Sequence, residues 1–135
     1  MPHVVIEYTE NLRAEADIAH LLKKTNTLLI EQRSETGPVF PMGGIRSRAV
    51  LLSDYCIADG ARDDAFVHVT VKIGAGRDEA TKKKAFDALF EMMVDHFADL
   101  YARRGLALSM EVVEFGEAGT WKHNNIHARF KGKNA

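Results

Sequence analysis

A proline follows the initiator methionine, and this position gives Pro2 a chemistry that its side chain lacks. Methionine before proline is normally excised, since the second side chain is small, and excision would leave a secondary amine on a rigid ring. An α-amino group ordinarily has a pKa of about 8. Burial and neighbouring cations lower that pKa toward the range that a general base needs. Many proteins begin with Met-Pro for no chemical reason, so Pro2 alone predicts a proton-transfer site only weakly.

Three arginines stand beside glycines, which allow a ligand to approach the backbone closely. Arg46 and Arg48 follow Gly43-Gly44-Ile45, and Arg77 follows Gly74-Ala75-Gly76 ahead of a predicted helix. A guanidinium grips a carboxylate through two parallel hydrogen bonds, and a helix N-terminus such as the one beside Arg77 already favours anions. Arg46 and Arg77 are therefore candidate carboxylate ligands. In the alternative interpretation each arginine pairs with a surface acid, and we favour that alternative for Arg48.

The remaining reactive side chains predict no second site. Cys56 is the one cysteine, so it forms no disulfide within the chain, and no activating base stands near it in sequence. His123 and His127 are four residues apart without a third ligand, so we expect no metal. His68 lies between valines and is interpreted as a structural residue. The run at 82–84 is interpreted as a solvated helix face.

Composition places the chain among ordinary globular proteins. It has 135 residues, 46% of them hydrophobic and 27% charged, and a formal net charge of −1. This mixture excludes a disordered chain, and the near-zero charge argues against a nucleic-acid partner. No apolar run reaches the roughly 18 residues that span a membrane, and no signal peptide is recognisable. We therefore expect no membrane partner and a reducing cytoplasm as the compartment.

Hydrophobic periodicity predicts strand, helix, loop and strand in the first half of the chain. Apolar residues alternate over 3–8, as in a half-buried strand. Asn11 then predicts the cap of a helix, with Glu15 and Asp17 near its positive end, and this helix fades before residue 37. Two prolines and three glycines make 34–44 a loop. A second strand is expected over 45–52.

The second half predicts strand, helix and strand again. Alternating valines over 66–73 give the clearest strand pattern. A long helix is expected from Asp78 to Arg104, with Gly105 as its stop. Its apolar stripe consists of Phe86, Leu89, Phe90, Met93, Phe97, Leu100 and Tyr101. A last strand follows over 106–115, and Trp121 and Phe130 are expected to anchor the polar tail by packing.

The two halves echo each other, which suggests a duplicated β-α-β unit. Arg-Ala-Glu-Ala at 13–16 and Arg-Asp-Glu-Ala at 77–80 open the two predicted helices. We predict one α/β (α+β) domain over 1–135, with repeats at about 2–55 and 65–120. It holds a four-stranded mixed sheet with two helices on one face, and strands that share a crossover are parallel. The uncovered face of that sheet predicts self-association.

Together these segments resemble the 5-carboxymethyl-2-hydroxymuconate isomerases of the tautomerase superfamily. The segments that carry the resemblance are MPHVVIEY at 1–8, FPMGGIRSR at 40–48, ADG at 58–60, FVHVTVKIGAGR at 66–77 and KHNNIHA at 122–128. The resemblance covers nearly the whole chain, and the Gly-Ile-Arg-Ser-Arg and Ile-Gly-Ala-Gly-Arg segments are its most specific parts. A loop around 30–36, a few residues longer than the family pattern, is the main departure.

The resemblance implies a homotrimer with active sites near the subunit contacts, and neither a metal nor an organic cofactor. It implies that Pro2, once freed, is the acid and base of catalysis. It also implies that Arg46 and Arg77 bind the carboxylates of a dicarboxylate or tricarboxylate substrate and stabilise charge. Arg48 matches the motif but receives no catalytic role. Phe66 takes the place of Pro2 in the second repeat, so one site per protomer is expected.

The implied reaction converts 5-carboxymethyl-2-hydroxymuconate, a dienol, to its conjugated ketone during aromatic (homoprotocatechuate) catabolism. Two alternatives stay open from the residues. One is a paralogue of the tautomerase superfamily that acts on another enol acid. The other is a non-catalytic oligomeric domain that binds a small ligand and tolerates a retained Met1, because the retained methionine turns the nitrogen of Pro2 into an amide.

Overall fold

A computed structural model describes residues 1–131 of the chain, which contain six strands and three α-helices. The strands are β1 (His3–Thr9), β2 (Arg33–Ser34), β3 (Gly37–Pro38), β4 (Arg46–Leu52), β5 (Ala65–Gly74) and β6 (Leu106–Phe115). The helices are α1 (Ile18–Ile30), α2 (Glu79–His96) and α3 (Ala98–Arg103). Among these residues no helix combines the length and the apolar composition that crossing a bilayer requires.

The main sheet contains four strands in the order β4-β1-β5-β6. β1 is parallel to β4 and β5 is parallel to β6, whereas the central pair, β1 and β5, is antiparallel. Helix α1 lies in the connection from β1 to β4, and helices α2 and α3 lie in the connection from β5 to β6. The predicted mixed sheet with parallel pairing across each helical connection is confirmed.

One face of the sheet is buried beneath the helices. Val4, Ile6, Val69 and Val71 alternate along the central strands and are at most 1% exposed. The helices meet them with Leu21, Leu29, Leu89 and Met93, which are equally buried. Burying one such side chain contributes about 1.5–3 kcal/mol. The prediction that both helices cover one face is confirmed, and the opposite face stays open in the protomer.

The start of the first helix differs from the prediction. Asn11 lies in a short 3₁₀ helix, Glu10–Leu12, and α1 begins only after Asp17, whose φ is 47°. The side chain of Asn11 donates hydrogen bonds to the carbonyl of Asp64 at 2.8 Å and to the carboxylate of Asp63 at 3.0 Å. These contacts with a distant loop use the side chain, so Asn11 does not cap the helix. The predicted loop at 34–44 also contains a small hairpin, β2–β3.

The second predicted helix is interrupted. Phe97 has φ −98° and ψ 10°, and it divides the predicted helix into α2 and α3. Tyr101 is 64% exposed and Trp121 is 89% exposed in the protomer, so the predicted packing of these two side chains is wrong here. Asp78 caps α2 as it accepts a hydrogen bond from the backbone N–H of Thr81 at 2.7 Å.

Candidate active site

The parallel pairing of β1 with β4 brings the start of the chain to Arg46. His3 is the register partner of Arg46, and the backbone N–H of Arg46 donates to the carbonyl of Pro2 at 3.0 Å. The side chain of Arg46 turns the same way, because its Nη1 donates to Sδ of Met1 at 2.8 Å. Pro2 itself is buried. The fold therefore places Met1, Pro2 and Arg46 at one end of the sheet.

Arg77 is held by backbone carbonyls rather than by an acid. Its Nε donates to the carbonyl of Val39 and its Nη1 donates to the carbonyl of Gly74, both at 3.1 Å. Its guanidinium carbon stands 4.7 Å from the centre of the Phe40 ring, within cation–π range. Among residues 1–131 neither Arg77 nor Arg46 forms an ion pair with a carboxylate. The charges of both guanidiniums are thus available to bind an anionic ligand.

Burial and cations together depress the basicity of the chain's amino group. The pKa of the Met1 amino group falls from 8.0 to about 6, first through burial and then through the charges of Arg77, Lys122 and Arg46. Burial also lowers the pKa of Arg77, and the charge of Glu114 opposes that change. An amine in this environment is mostly neutral at pH 7, which is the form that a general base requires.

Arg48 lies two residues beyond Arg46 on the strand and has a different partner. Its Nη1 lies 3.1 Å from Nδ1 of His3. The pKa of His3 is lowered by burial and then by the charges of Arg48 and Arg46. This pair lies on the open face of the sheet. Nothing in the geometry indicates that Arg48 would bind the same anion as Arg77.

His68 has structural partners on the neighbouring strand β6. Both ring nitrogens of His68 are engaged, Nδ1 with Ser109 at 2.7 Å and Nε2 with Glu111 at 3.0 Å. This agrees with the structural role predicted for His68. Across residues 1–131, His, Cys, Asp and Glu side chains form no group of three that could hold a metal ion.

The tail packs against the glycine pair Gly43-Gly44, a contact that the sequence did not predict. Asn124 donates from Nδ2 to the carbonyl of Gly43 at 3.1 Å. A Cβ atom at Gly43 would stand 2.8 Å from Cα and Nδ1 of His127, and one at Gly44 would stand 3.3 Å from Cγ of Met1. The two glycines therefore leave the space in which His127 and Met1 lie. The signal was the glycine pair, whose partner lies more than 80 residues away and cannot be read from local spacing.

A cleft of about 730 Å³ opens beside this arrangement. One wall comes from the β2–β3 hairpin and the other from the segment that enters α2. Arg77 and Val39 line it, whereas Met1, Pro2 and Arg46 do not. Arg77 is therefore common to the cleft and to the surroundings of the amino group.

The chain is similar to known proteins over nearly its whole length. The family profile described as 5-carboxymethyl-2-hydroxymuconate isomerase matches residues 2–130. An Escherichia coli protein named 5-carboxymethyl-2-hydroxymuconate Delta-isomerase is 44% identical over 131 residues, which cover 97% of this chain and 100% of the relative.

Solved structures agree in fold. The crystal structure of a 5-carboxymethyl-2-hydroxymuconate isomerase from Deinococcus radiodurans R1 is 53% identical, with a TM-score of 0.88 over 96% of this chain and 93% of that one. A fused 4-OT protein, described as a symmetric trimer, is 14% identical with a TM-score of 0.63 over 84% of this chain and 87% of that one. The second likeness concerns the fold alone. The predicted tautomerase-like α+β fold is confirmed.

Proposed function

This chain belongs to the 5-carboxymethyl-2-hydroxymuconate isomerase family and is an isomerase, and we propose that it converts 5-carboxymethyl-2-hydroxymuconate to its conjugated ketone through an N-terminal proline. We place this reaction in the catabolism of aromatic compounds. One observation supports the proposal most strongly. The start of the chain lies among Arg46, Arg77 and Lys122, and within residues 1–131 its amino group forms no ion pair with a carboxylate.

Removal of Met1 would have two consequences for the site. The ring nitrogen of Pro2 would become the free amine of the chain, and Pro2 is buried directly before β1. Removal of Met1 would also release Nη1 of Arg46, which now donates to Sδ of Met1. Processing would thus create the base and uncover a carboxylate ligand in a single step.

The proposed reaction is an internal proton transfer. The neutral nitrogen of Pro2 takes the proton from the enol hydroxyl, so that the O–H bond breaks and an enolate forms. The resulting ammonium returns a proton to a carbon of the conjugated system, and the double bonds shift to give the ketone. No proton is gained or lost overall. One positioned base typically contributes about 10²–10⁴-fold to such a rate.

Arg46 and Arg77 have three roles in this proposal. They bind carboxylates of the substrate, stabilise the negative charge that develops on the enolate oxygen, and keep the amine unprotonated. The carbonyl contacts of Arg77 with Val39 and Gly74 fix its orientation before the substrate binds. Such preorganised donors typically contribute about 10²–10³-fold each.

We further propose that the active form is a homotrimer. The open face of the sheet carries Val50 and Val113, which are 41% and 43% exposed. The strands β4 and β6 form the two edges of the main sheet and present unpaired backbone groups in the protomer. Association of three copies through this face and these edges would bury both features.

The test is a kinetic comparison of processed wild type with Pro2→Ala on the dienol substrate. The proposal predicts that Pro2→Ala loses most of its kcat/KM, because a flexible primary amine replaces the ring nitrogen at the reacting position. A panel of other enol and dienol acids, assayed in parallel, separates this substrate from those of a paralogue. Wild-type rates in the variant would contradict catalysis by proline.

A further inference from the structure

The mechanism above does not use the β2–β3 hairpin, which joins Arg33–Ser34 to Gly37–Pro38. Arg33 pairs with Pro38 and Ser34 pairs with Gly37 across the hairpin. Oγ of Ser34 lies 3.1 Å from Oγ1 of Thr36, and it donates to the carbonyl of Gly37 at 3.3 Å. These contacts hold the turn, so the side chain of Arg33 projects from a defined element.

The hairpin forms one wall of the 730 Å³ cleft, and the start of α2 forms the other. Arg33 lines the first wall, whereas Arg77 and Lys84 line the second. The volume is within the range of about 300–1,000 Å³ that is typical of small-molecule sites. Since the charge of Arg77 also acts on the chain's amino group, the cleft and the proposed active site share this residue.

The three cations of the cleft lack acidic partners. None of Arg33, Arg77 and Lys84 belongs to an ion pair among residues 1–131. Two acids also line the cleft, Glu35 and Asp78, but Asp78 already accepts a hydrogen bond from the first turn of α2. The balance of uncommitted charge in the cleft is therefore positive and suits an anion.

The two lysines that precede Lys84 differ from it, because each of them forms an ion pair with an acid. Lys82 pairs with Glu79 at 2.7 Å and with Glu114 at 3.1 Å, and Lys83 pairs with Asp87 at 2.8 Å. The sequence pattern at 82–84 indicates one solvated helix face, but only Lys84 of these three lysines lines the cleft.

We propose that Arg33 and Lys84 form a second anion subsite, which binds a carboxylate of the substrate remote from the reacting enol. The inference rests on the proposed function, because 5-carboxymethyl-2-hydroxymuconate carries three carboxylates and Arg46 and Arg77 have natural roles nearer the amine. Arg77 lines the same cleft as Arg33 and Lys84, and its charge also acts on the amino group of the chain. The hairpin thereby selects substrates with the additional carboxymethyl group over simple dicarboxylates.

Kinetics on two substrates test the subsite. The variants are Arg33→Gln and Lys84→Gln, and the matched control is Lys83→Gln, whose side chain is 77% exposed and outside the cleft. For 5-carboxymethyl-2-hydroxymuconate we expect each cleft variant to raise KM about tenfold with kcat within about twofold. For 2-hydroxymuconate, which lacks the carboxymethyl group, we expect both constants to stay within about twofold. Equal losses on both substrates, or no loss on either, would overturn the subsite.

Binding of unreactive acids separates this proposal from the reaction itself. Calorimetry measures the binding of propane-1,2,3-tricarboxylate to the same variants, with the dicarboxylate glutarate for comparison. The measurement does not depend on whether the wild type isomerises the dienol. Tricarboxylate binding that weakens in Arg33→Gln and Lys84→Gln, but not in Lys83→Gln, supports the subsite even if the proposed reaction fails. Unchanged tricarboxylate binding in the two cleft variants rejects it, and equal urea midpoints confirm that all variants are folded.

Discussion

The charge of Lys122 is one of three that act on the amino group, so its removal tests the electrostatic part of the mechanism. The pKa of the Met1 amino group is lowered from 8.0 to about 6 by burial, Arg77, Lys122 and Arg46, in that order. At pH 7 a pKa of about 6 leaves roughly nine in ten amines neutral, against roughly one in ten at the ordinary pKa. The neutral fraction of this amino group at pH 7 is therefore about tenfold higher than at the ordinary pKa. Once Met1 is removed the ring nitrogen of Pro2 takes its place, and we expect burial and the same cations to lower the pKa of that nitrogen in the same direction.

In Lys122→Gln one cation is removed, so the amine of the processed chain, which is the ring nitrogen of Pro2, holds its proton more tightly and its pKa rises. The neutral amine is the active form, so activity falls as the pH drops through this pKa. The acid limb of kcat/KM therefore moves to higher pH. The shift is smaller than the whole depression, because burial and two arginines remain. The assay is kcat/KM on the dienol between pH 5 and 9.

Lys131→Gln is the matched control, because it also removes a tail lysine but is not among the three charges that lower the pKa of the amino group. The control should keep the wild-type profile. An acid limb that stays in place in Lys122→Gln, or that lies near pH 8 in the wild type, would refute the electrostatic reasoning.

Two further predictions concern the scaffold of the site. Gly43→Ala places a Cβ atom 2.8 Å from His127, so it should displace the tail, lower kcat/KM and cost about 1–3 kcal/mol in urea unfolding. Gly116→Ala, whose Cβ meets nothing closer than 3.9 Å, is its control, and equal effects in both would contradict the tail contact. Asp78→Ala removes the N-cap of α2 and should lower the urea midpoint in the same unfolding assay. An unchanged unfolding midpoint would show that the cap contributes nothing.

The features that the sequence predicted correctly are those set by local periodicity. Alternating apolar residues at Val67, Val69 and Val71 determine which face of β5 is buried, and the same pattern holds for Val4 and Ile6. Because these strands pair in register, the alternation predicted both the sheet and its covered face. The glycines that precede Arg46 and Arg77 likewise mark element boundaries, which is a local property.

The features that the sequence did not predict depend on distant contacts. The side chain of Asn11 donates hydrogen bonds to Asp63 and Asp64 instead of capping a helix, and no sequence pattern near Asn11 predicts these bonds. The interruption at Phe97 has no glycine or proline to signal it. The docking of Asn124 on Gly43 joins positions 81 residues apart. Each is a tertiary contact that overrides local preference.

The most direct test of proline catalysis is the intact mass of the chain purified from its native host, combined with the activity of the same sample. The account predicts a mass that lacks Met1 and an active enzyme. It also predicts that a fraction in which Met1 is retained is inactive, because the nitrogen of Pro2 is then an amide. Full activity in chains that retain Met1 would contradict the account.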